Sequence, residues 1–311
     1  MPSIRVAVDQ GGSGFRIARI AGDGTLTTTA HPGFTPGEDS FSTYAVKQLL
    51  QDIDPTQKID KLVLASAAQP ASDAEREALK DALFATFNLT ELWLCSDAIS
   101  ASQAAIRGDG VVIIMGTGIA ALAVGNSRTT VHELSGDGYL IGDEGGAYWI
   151  GRLGLNSALR EKDGRGGSAA LLKRACEFFD TDPDYLADRV HNFPRPVHSI
   201  ATFAKEVIEI AEAGDEVAIS IVDKAVDELM QVALAAKRLC GGNEDFEVVI
   251  GGGAFPRGGI LHTKVLELAK VTKLYISESS ATPLDGVLEL LDLPIPGVFA
   301  PVIHTYLKSP H

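Results

Sequence analysis

Apolar and polar positions alternate from the start of the chain, and the alternation changes period in a regular way. Ile4-Arg5-Val6-Ala7-Val8 is rich in β-branched residues and predicts a strand, which runs into the tight turn Asp9-Gln10-Gly11-Gly12-Ser13-Gly14. Phe15 to Ile20 predicts a returning strand, and Thr25 to Ala30 a third after the turn Ala21-Gly22-Asp23-Gly24. Helical spacing follows over Phe41–Leu50, a buried strand over Leu62–Ala67, a helix over Asp73–Phe87, a strand over Leu92–Cys95 and a small-residue helix over Ala98–Ile106. The same grammar then begins again. Val111 to Met115 is an apolar strand leading to Gly116-Thr117-Gly118, followed by strands over Ala120–Val124 and Thr129–Leu134. Strand, glycine turn, strand, turn, strand therefore occurs twice, which points to an internal duplication.

From Ala147 to Leu239 the pattern is mostly helical, with breaks at Asp163–Gly167 and Asn192–Pro196. Glu247 to Ile250 predicts a strand feeding Gly251-Gly252-Gly253-Ala254. A helix over Ile260–Leu268, a strand over Lys273–Ile276 and a helix over Pro283–Leu291 follow; the tail from Pro294 shows no readable period. A domain boundary is expected near Arg107–Gly110. This gives an N-terminal domain over 1–108, with the C-terminal helix as a candidate addition to it. The C-terminal domain spans 109–311, with a helical insertion over 147–240.

Composition narrows the function classes. The 311 residues suffice for two domains, each with its own core. A formal net charge of −14 disfavours nucleic acid as a partner, although small anions can still bind locally at backbone N–H groups. No apolar run approaches the length of a membrane span and no N-terminal signal pattern is present. Cys95, Cys176 and Cys240 are far apart and form no metal or disulfide pattern. They read as reduced residues of a cytoplasmic protein. The seven histidines lack metal-ligand spacing, and no serine stands in a hydrolase context.

The richest chemistry lies in Gly142-Asp143-Glu144-Gly145-Gly146-Ala147-Tyr148-Trp149-Ile150-Gly151. Two adjacent acids between glycines supply acceptors suited to sugar hydroxyls, in a backbone that a ligand can approach closely. An acidic first turn of a helix accounts for the same letters. Gly11, Gly12 and Ser13 offer converging N–H donors for a phosphate tail, and Asp9 beside them suits a hydrated Mg²⁺. A glycine hairpin with an Asx turn is the plainer alternative. Gly116-Thr117-Gly118 is the counterpart in the second half, and Gly252, Gly253 and Ala254 would let a flat base or ribose lie against bare backbone. Asp97, after a strand and before a helix, is a candidate general base for phosphoryl transfer and equally a candidate N-cap.

Together, Asp9-Gln10-Gly11-Gly12-Ser13, Ser96-Asp97-Ala98, Gly116-Thr117-Gly118, Gly136 to Gly151, Gly251-Gly252-Gly253 and Pro283-Leu284-Asp285-Gly286-Val287-Leu288 resemble the N-acetylglucosamine kinase-type sugar kinases. These belong to the BadF/BadG/BcrA/BcrD branch of the actin- and hexokinase-fold ATPases. The resemblance covers nearly the whole chain. It implies an α/β fold of two ribonuclease H-like domains, each with a mixed five-stranded sheet, and a cleft between them for ATP. It further implies Asp97 as the base for the 6-hydroxyl of an amino sugar (glucosamine or N-acetylglucosamine) and Asp9 near Mg²⁺. Gly11, Gly12, Ser13, Gly116, Thr117 and Gly118 would hold phosphates, with Gly252, Gly253 and Ala254 at the adenosine. Thr117, Gly136, Asp137, Gly138, Asp143 and Glu144 would meet the sugar. Dimers are common among such enzymes, so the resemblance allows a homodimer.

Departures from the family pattern are specific. Ser13 and Gly14 replace a Thr and the basic residue that commonly follows it, leaving Arg16 as the nearest cation. Ile119 stands where Ser is usual, and Ala30 to Pro36 lacks a sugar-binding Asn. Asp137 replaces an aromatic within the Gly-x-Gly turn, and a carboxylate there would favour the free ammonium of glucosamine over a neutral acetamide. Two other readings share the fold: an ATPase activator of partner enzymes, and a degenerate sugar-binding regulator. Activators of that kind commonly carry a cysteine-bound iron–sulfur cluster, which the scattered cysteines do not suit.

Overall fold

Why the chain doubles back on itself twice is plain from its strands. A computed structural model describes residues 2–11, 14–34, 39–68, 70, 72–242 and 245–308. Strands β1 (Ile4–Gly11) and β2 (Gly14–Ala21) pair antiparallel, with Asp9 opposite Arg16. β3 (Leu26–Pro32) extends the meander. β4 (Lys58–Ser66) and β5 (Asn88–Ser96) add parallel to the other side of β1. The second half repeats this order. β6 (Gly110–Met115) pairs antiparallel with β7 (Ile119–Gly125), beside which lies β8 (Thr130–Ser135). β9 (Glu247–Gly251) and β10 (Tyr275–Ser277) add parallel on the far side of β6.

The two sheets differ in one strand. The first has the order β11-β5-β4-β1-β2-β3, with six strands rather than five. The extra strand, β11 (His304–Leu307), comes from the tail in which no period was legible, and it pairs antiparallel with β5. Four mostly exposed residues on a sheet edge carry no inward-facing repeat, so only the pairing reveals them. The second sheet has five strands in the order β10-β9-β6-β7-β8.

Helices fill the connections with legible caps. α1 (Phe41–Leu49) is capped by Ser40 and α2 (Asp73–Thr86) by Ser72, whose side chain accepts from Glu75 N. α3 (Asp97–Ala105) follows β5, and α4 (Ala147–Lys162) opens the helical segment. That segment continues through α5 (Ala169–Phe179), α6 (Leu186–His191), α7 (Pro196–Glu212) and α8 (Glu216–Leu239). α9 (Ile260–Thr272) and α10 (Pro283–Asp292) complete the set. α10 starts with Pro at the first turn and a reciprocal capping box between Thr282 and Asp285.

Contacts divide the chain into two compact units. The first comprises Met1–Arg107, Arg128–Val131 and Ser279–His311; the second comprises Gly108–Ser127 and His132–Glu278. Each has its own apolar core. Val6, Val8, Phe15, Ile17, Leu62, Leu64, Leu83 and Leu92 are buried in the first. Val111, Ile113, Phe179, Phe203, Val222 and Leu229 are buried in the second. In the first unit the C-terminal helix α10 packs on α3 so closely that a β-carbon on Gly286 would strike the Ser100 carbonyl. Among the described residues, no helix is long and apolar enough to cross a membrane.

Candidate functional site

In the first unit, chemistry gathers at the carboxyl ends of parallel strands, where open α/β sheets bind ligands. Register places Asp9 of β1 level with Ala65 of β4, and Ala65 level with Cys95 of β5. Asp97 lies two residues beyond Cys95, at the start of α3. Ser96, not Asp97, is the N-cap, so the capping alternative for Asp97 gives way to a place in the first helical turn. The Ser96 hydroxyl makes no capping bond and is buried without a hydrogen-bond partner among the described residues.

Asp9 is 2% exposed. Burial raises its pKa, and Arg16, directly opposite, offsets part of that rise by donating from Nη1 to Asp9 Oδ2 at 2.9 Å. The Arg16 side chain is 46% exposed, and its Nη2 lies 4.0 Å from where a β-carbon on Gly14 would stand, so the guanidinium sits beside Gly14. Asp97 is pushed up to about 6, chiefly by burial and then by the negative charge of Asp9; backbone N–H groups of Ala98 and Asp97 itself act the other way. A part-buried carboxylate with its pKa raised toward neutrality is the state a general base needs.

Gln10 shapes the base of this hairpin, a role its sequence context did not reveal. Its side chain donates to Gly11 O at 2.8 Å and accepts from Ser66 Oγ and from Ala68 N, the latter at 3.1 Å. The Gln10 carbonyl accepts from Ala67 N at 2.8 Å, so β1 and β4 are tied where both end. No residue pattern marks a lone Gln for this; only the parallel pairing brings Ser66 to it. Gly11 opens to space, while Gly12 and Ser13 lie outside the described residues.

The second unit brings three glycine-rich segments into contact. The Gly116–Gly118 hairpin closes through Gly116 N to Gly118 O at 2.9 Å. The first turn of α4 grips it: Ala147 N donates to Gly116 O at 3.0 Å and Tyr148 N to Thr117 O at 2.8 Å. Asp143, in a left-handed conformation at φ 59°, sets its carboxylate against Gly118, leaving no room for a β-carbon there. Gly138 N donates to Asp143 Oδ1 at 3.4 Å. Burial raises the Asp143 pKa most, N–H groups of Gly138, Gly136 and Ile119 lower it, and the charge of Asp137 raises it again. Asp137 is exposed on the turn beside it. Glu144 is also exposed, and its charge bears on Glu228 of α8, whose pKa rises from burial first and Glu144 second.

The segment after β9 docks onto β6. Gly252, at φ 108°, lies against the Met115 backbone, and Ala254 N donates to Met115 O at 3.1 Å. Gly253 opens to space. Of the candidate nucleotide residues here, Gly252 and Gly253 are both exposed, and Gly252 alone has a sheet strand where a β-carbon would stand.

A sequence profile of the BadF/BadG/BcrA/BcrD ATPase family matches residues 46–288. The chain belongs to this ATPase family. Among curated proteins none matches the chain. Solved structures share its fold at low identity. A candidate N-acetylglucosamine kinase from Chromobacterium violaceum superposes with a TM-score of 0.68 at 19% identity, covering 93% of this chain and 99% of that one. Another, from Porphyromonas gingivalis, gives 0.64 at 16% identity over 93% and 98%. A ROK hexokinase from Thermus thermophilus gives 0.51 at 14% identity over 93% and 99%. These neighbours establish the actin- and hexokinase-type fold for this member of the ATPase family.

Membership of an ATPase family raises the question of a divalent ion. The residues fit a hydrated Mg²⁺ rather than a caged metal. Among the described residues no group of three His, Cys, Asp or Glu side chains converges. Mg²⁺ commonly takes only one or two carboxylates and keeps several waters. Asp9 and Asp97 are near enough for the charge of one to raise the other, a repulsion that a cation would relieve.

Proposed function

We propose that this protein is an ATP-dependent kinase that phosphorylates the 6-hydroxyl of an amino sugar. The observation that carries this reading is Asp97: a part-buried carboxylate at the carboxyl end of a parallel strand, pushed up to about 6 beside a second acid. Such a group can accept the proton of an alcohol as the oxygen attacks the terminal phosphate. Bound Mg²⁺ would neutralise charge on the phosphates. Asp9 would hold that ion, and Arg16 offsets part of the rise that burial gives its pKa.

The remaining roles follow within each unit. In the first, Gly11, Gly12 and Ser13 would offer N–H groups to phosphate. In the second, Gly116, Thr117 and Gly118 would do the same, with Gly252, Gly253 and Ala254 beside the adenosine. Thr117, Gly136, Asp137, Gly138, Asp143 and Glu144 would form the sugar side. Asp137 favours glucosamine over N-acetylglucosamine: it is exposed on its turn, and its charge adds to that of Asp143. An ammonium would relieve the Asp137 charge, whereas an acetamide would not.

The test is ADP release against a panel of glucosamine, N-acetylglucosamine and glucose. Turnover that requires a sugar and yields the 6-phosphate supports the kinase. ATP hydrolysis indifferent to every sugar would mark an activator-type ATPase, and sugar binding without turnover a degenerate regulator. Cys95 and Cys240 are buried, which disfavours a shared iron–sulfur cluster.

A further inference from the structure

Asp143 is the point at which the second unit's glycine-rich segments meet. Its carboxylate occupies the place that a β-carbon on Gly118 would take, in the Gly116–Gly118 hairpin. Behind the same glycine lies Gly146: a β-carbon there would come within 2.8 Å of the Gly118 backbone. Gly118 is thus held between a carboxylate and a bare backbone. On its other side the Asp143 carboxylate accepts from Gly138 N, and the N–H groups of Gly136 and Ile119 also act on it. A carboxylate has about four acceptor positions, so backbone amides engage much of this one's capacity.

The helix behind the hairpin reinforces the arrangement. N–H groups at a helix start are normally left for a cap or an anion. Here those of Ala147 and Tyr148 are occupied by the carbonyls of Gly116 and Thr117. The hairpin therefore cannot shift without breaking bonds to α4, and the Gly136–Gly138 turn cannot shift without disturbing Asp143. Asp143 itself sits in a left-handed backbone conformation, which Asp tolerates better than most non-glycine residues.

Resting on the kinase reading, in which the hairpin meets phosphate and the turn meets sugar, we infer that Asp143 is a positioning residue that couples the two. It locks the Gly116–Gly118 hairpin to the Gly136–Gly138 turn, so that each ligand tightens the grip on the other. Linkage makes such coupling reciprocal.

Calorimetry on the full chain tests this with two probes, a non-hydrolysable ATP analogue with Mg²⁺ and glucosamine, each titrated alone and in the presence of the other. In the wild type, saturating sugar should tighten nucleotide binding at least about 3-fold, within the usual range for coupled sites. In Asp143→Asn, nucleotide affinity without sugar should fall about 5-fold or more, and the coupling ratio should approach 1. Gly118→Ala, which keeps the carboxylate but displaces it, should weaken sugar binding measured without nucleotide. Cooperative thermal melts of both variants establish that they are folded, and each variant tests the inference without the other. If both variants lose affinity only for the ligand on their own side, the inference is overturned while the kinase reading stands. A wild type that binds neither probe overturns the kinase reading and the coupling with it.

Discussion

The Lys61 ammonium lies 3.2 Å from the centre of the Trp93 ring, on the neighbouring strand of the first sheet. Lys61 is 6% exposed, and it donates to Leu293 O at 2.6 Å and Leu290 O at 3.3 Å, carbonyls at the end of α10. A cation is well placed at a helix C-terminus and over an indole face. The pair thereby fastens the C-terminal helix, which in turn packs on α3, the helix that begins with Asp97.

This arrangement makes stability rise with pH. Burial pushes the Lys61 pKa down to about 8; Glu91 and Asp292 oppose the shift and Arg5 adds to it. Between about pH 8 and the ordinary lysine value of about 10.4, the unfolded chain binds more protons at this position than the folded one, so folding gains stability as pH rises. The gain is at most about 3 kcal/mol. Urea denaturation at pH 7, 9 and 10 should show it in the wild type relative to Lys61→Met. A difference between the two that stays flat across this range would mean the ammonium is not desolvated.

Asp97→Asn should be far less active and more stable. The folded pKa of about 6 exceeds the ordinary carboxylate value, so the protonated form is the one the fold favours. The stability this group contributes is complete below about pH 4 and is lost as pH rises through 6. Asn, which cannot ionise, avoids that loss. At pH 7.5 the variant should gain roughly 2–3 kcal/mol while kcat falls at least roughly 10²-fold. Thermal melts at pH 7.5 and pH 4 check the first part, since the gain should vanish at the lower pH. A variant with near-normal turnover would place the base elsewhere.

Activity should follow the same ionisation. The base works only when charged, so kcat/KM should climb with pH and level off at or somewhat below about 6, since bound Mg²⁺ would offset the part of the shift that Asp9 causes while burial still holds it above about 4. Removing the charge of Asp9 would lower this limb, because Asp9 is the second cause of the shift after burial. An initial-rate profile from pH 4.5 to 8.5 with saturating Mg²⁺ measures it. A limb near pH 4 would mean that Asp97 is well solvated in the enzyme that turns over.

Asp137→Ala should separate two sugars. Loss of the carboxylate should raise KM for glucosamine about 3- to 10-fold, the scale of one charge-assisted hydrogen bond, and leave N-acetylglucosamine unchanged. Equal effects on both sugars, or none on either, would remove Asp137 from substrate selection.

Much of this protein was legible in its residue pattern. The order of strands and helices follows from periods of two and 3.6, because side-chain direction within an element is a local property of the backbone. The repeated strand–glycine turn–strand unit was visible for the same reason, and so were the acids and glycines that cluster at strand ends. The β11 strand was not, since an exposed four-residue edge has no buried face to leave a pattern. Nor was the work of Gln10, Lys61 and Asp143. Gln10 meets Ser66 only because β1 and β4 pair in parallel, and Lys61 meets the end of α10 from far away in the chain. Asp143 sits in an acidic turn whose letters suit a ligand, and only the fold brings its carboxylate against Gly118 and Gly138. Local sequence sets which elements form and which chemistry they carry. Only the packing of distant segments decides which charges are buried, which neighbours they meet and where their pKa values settle.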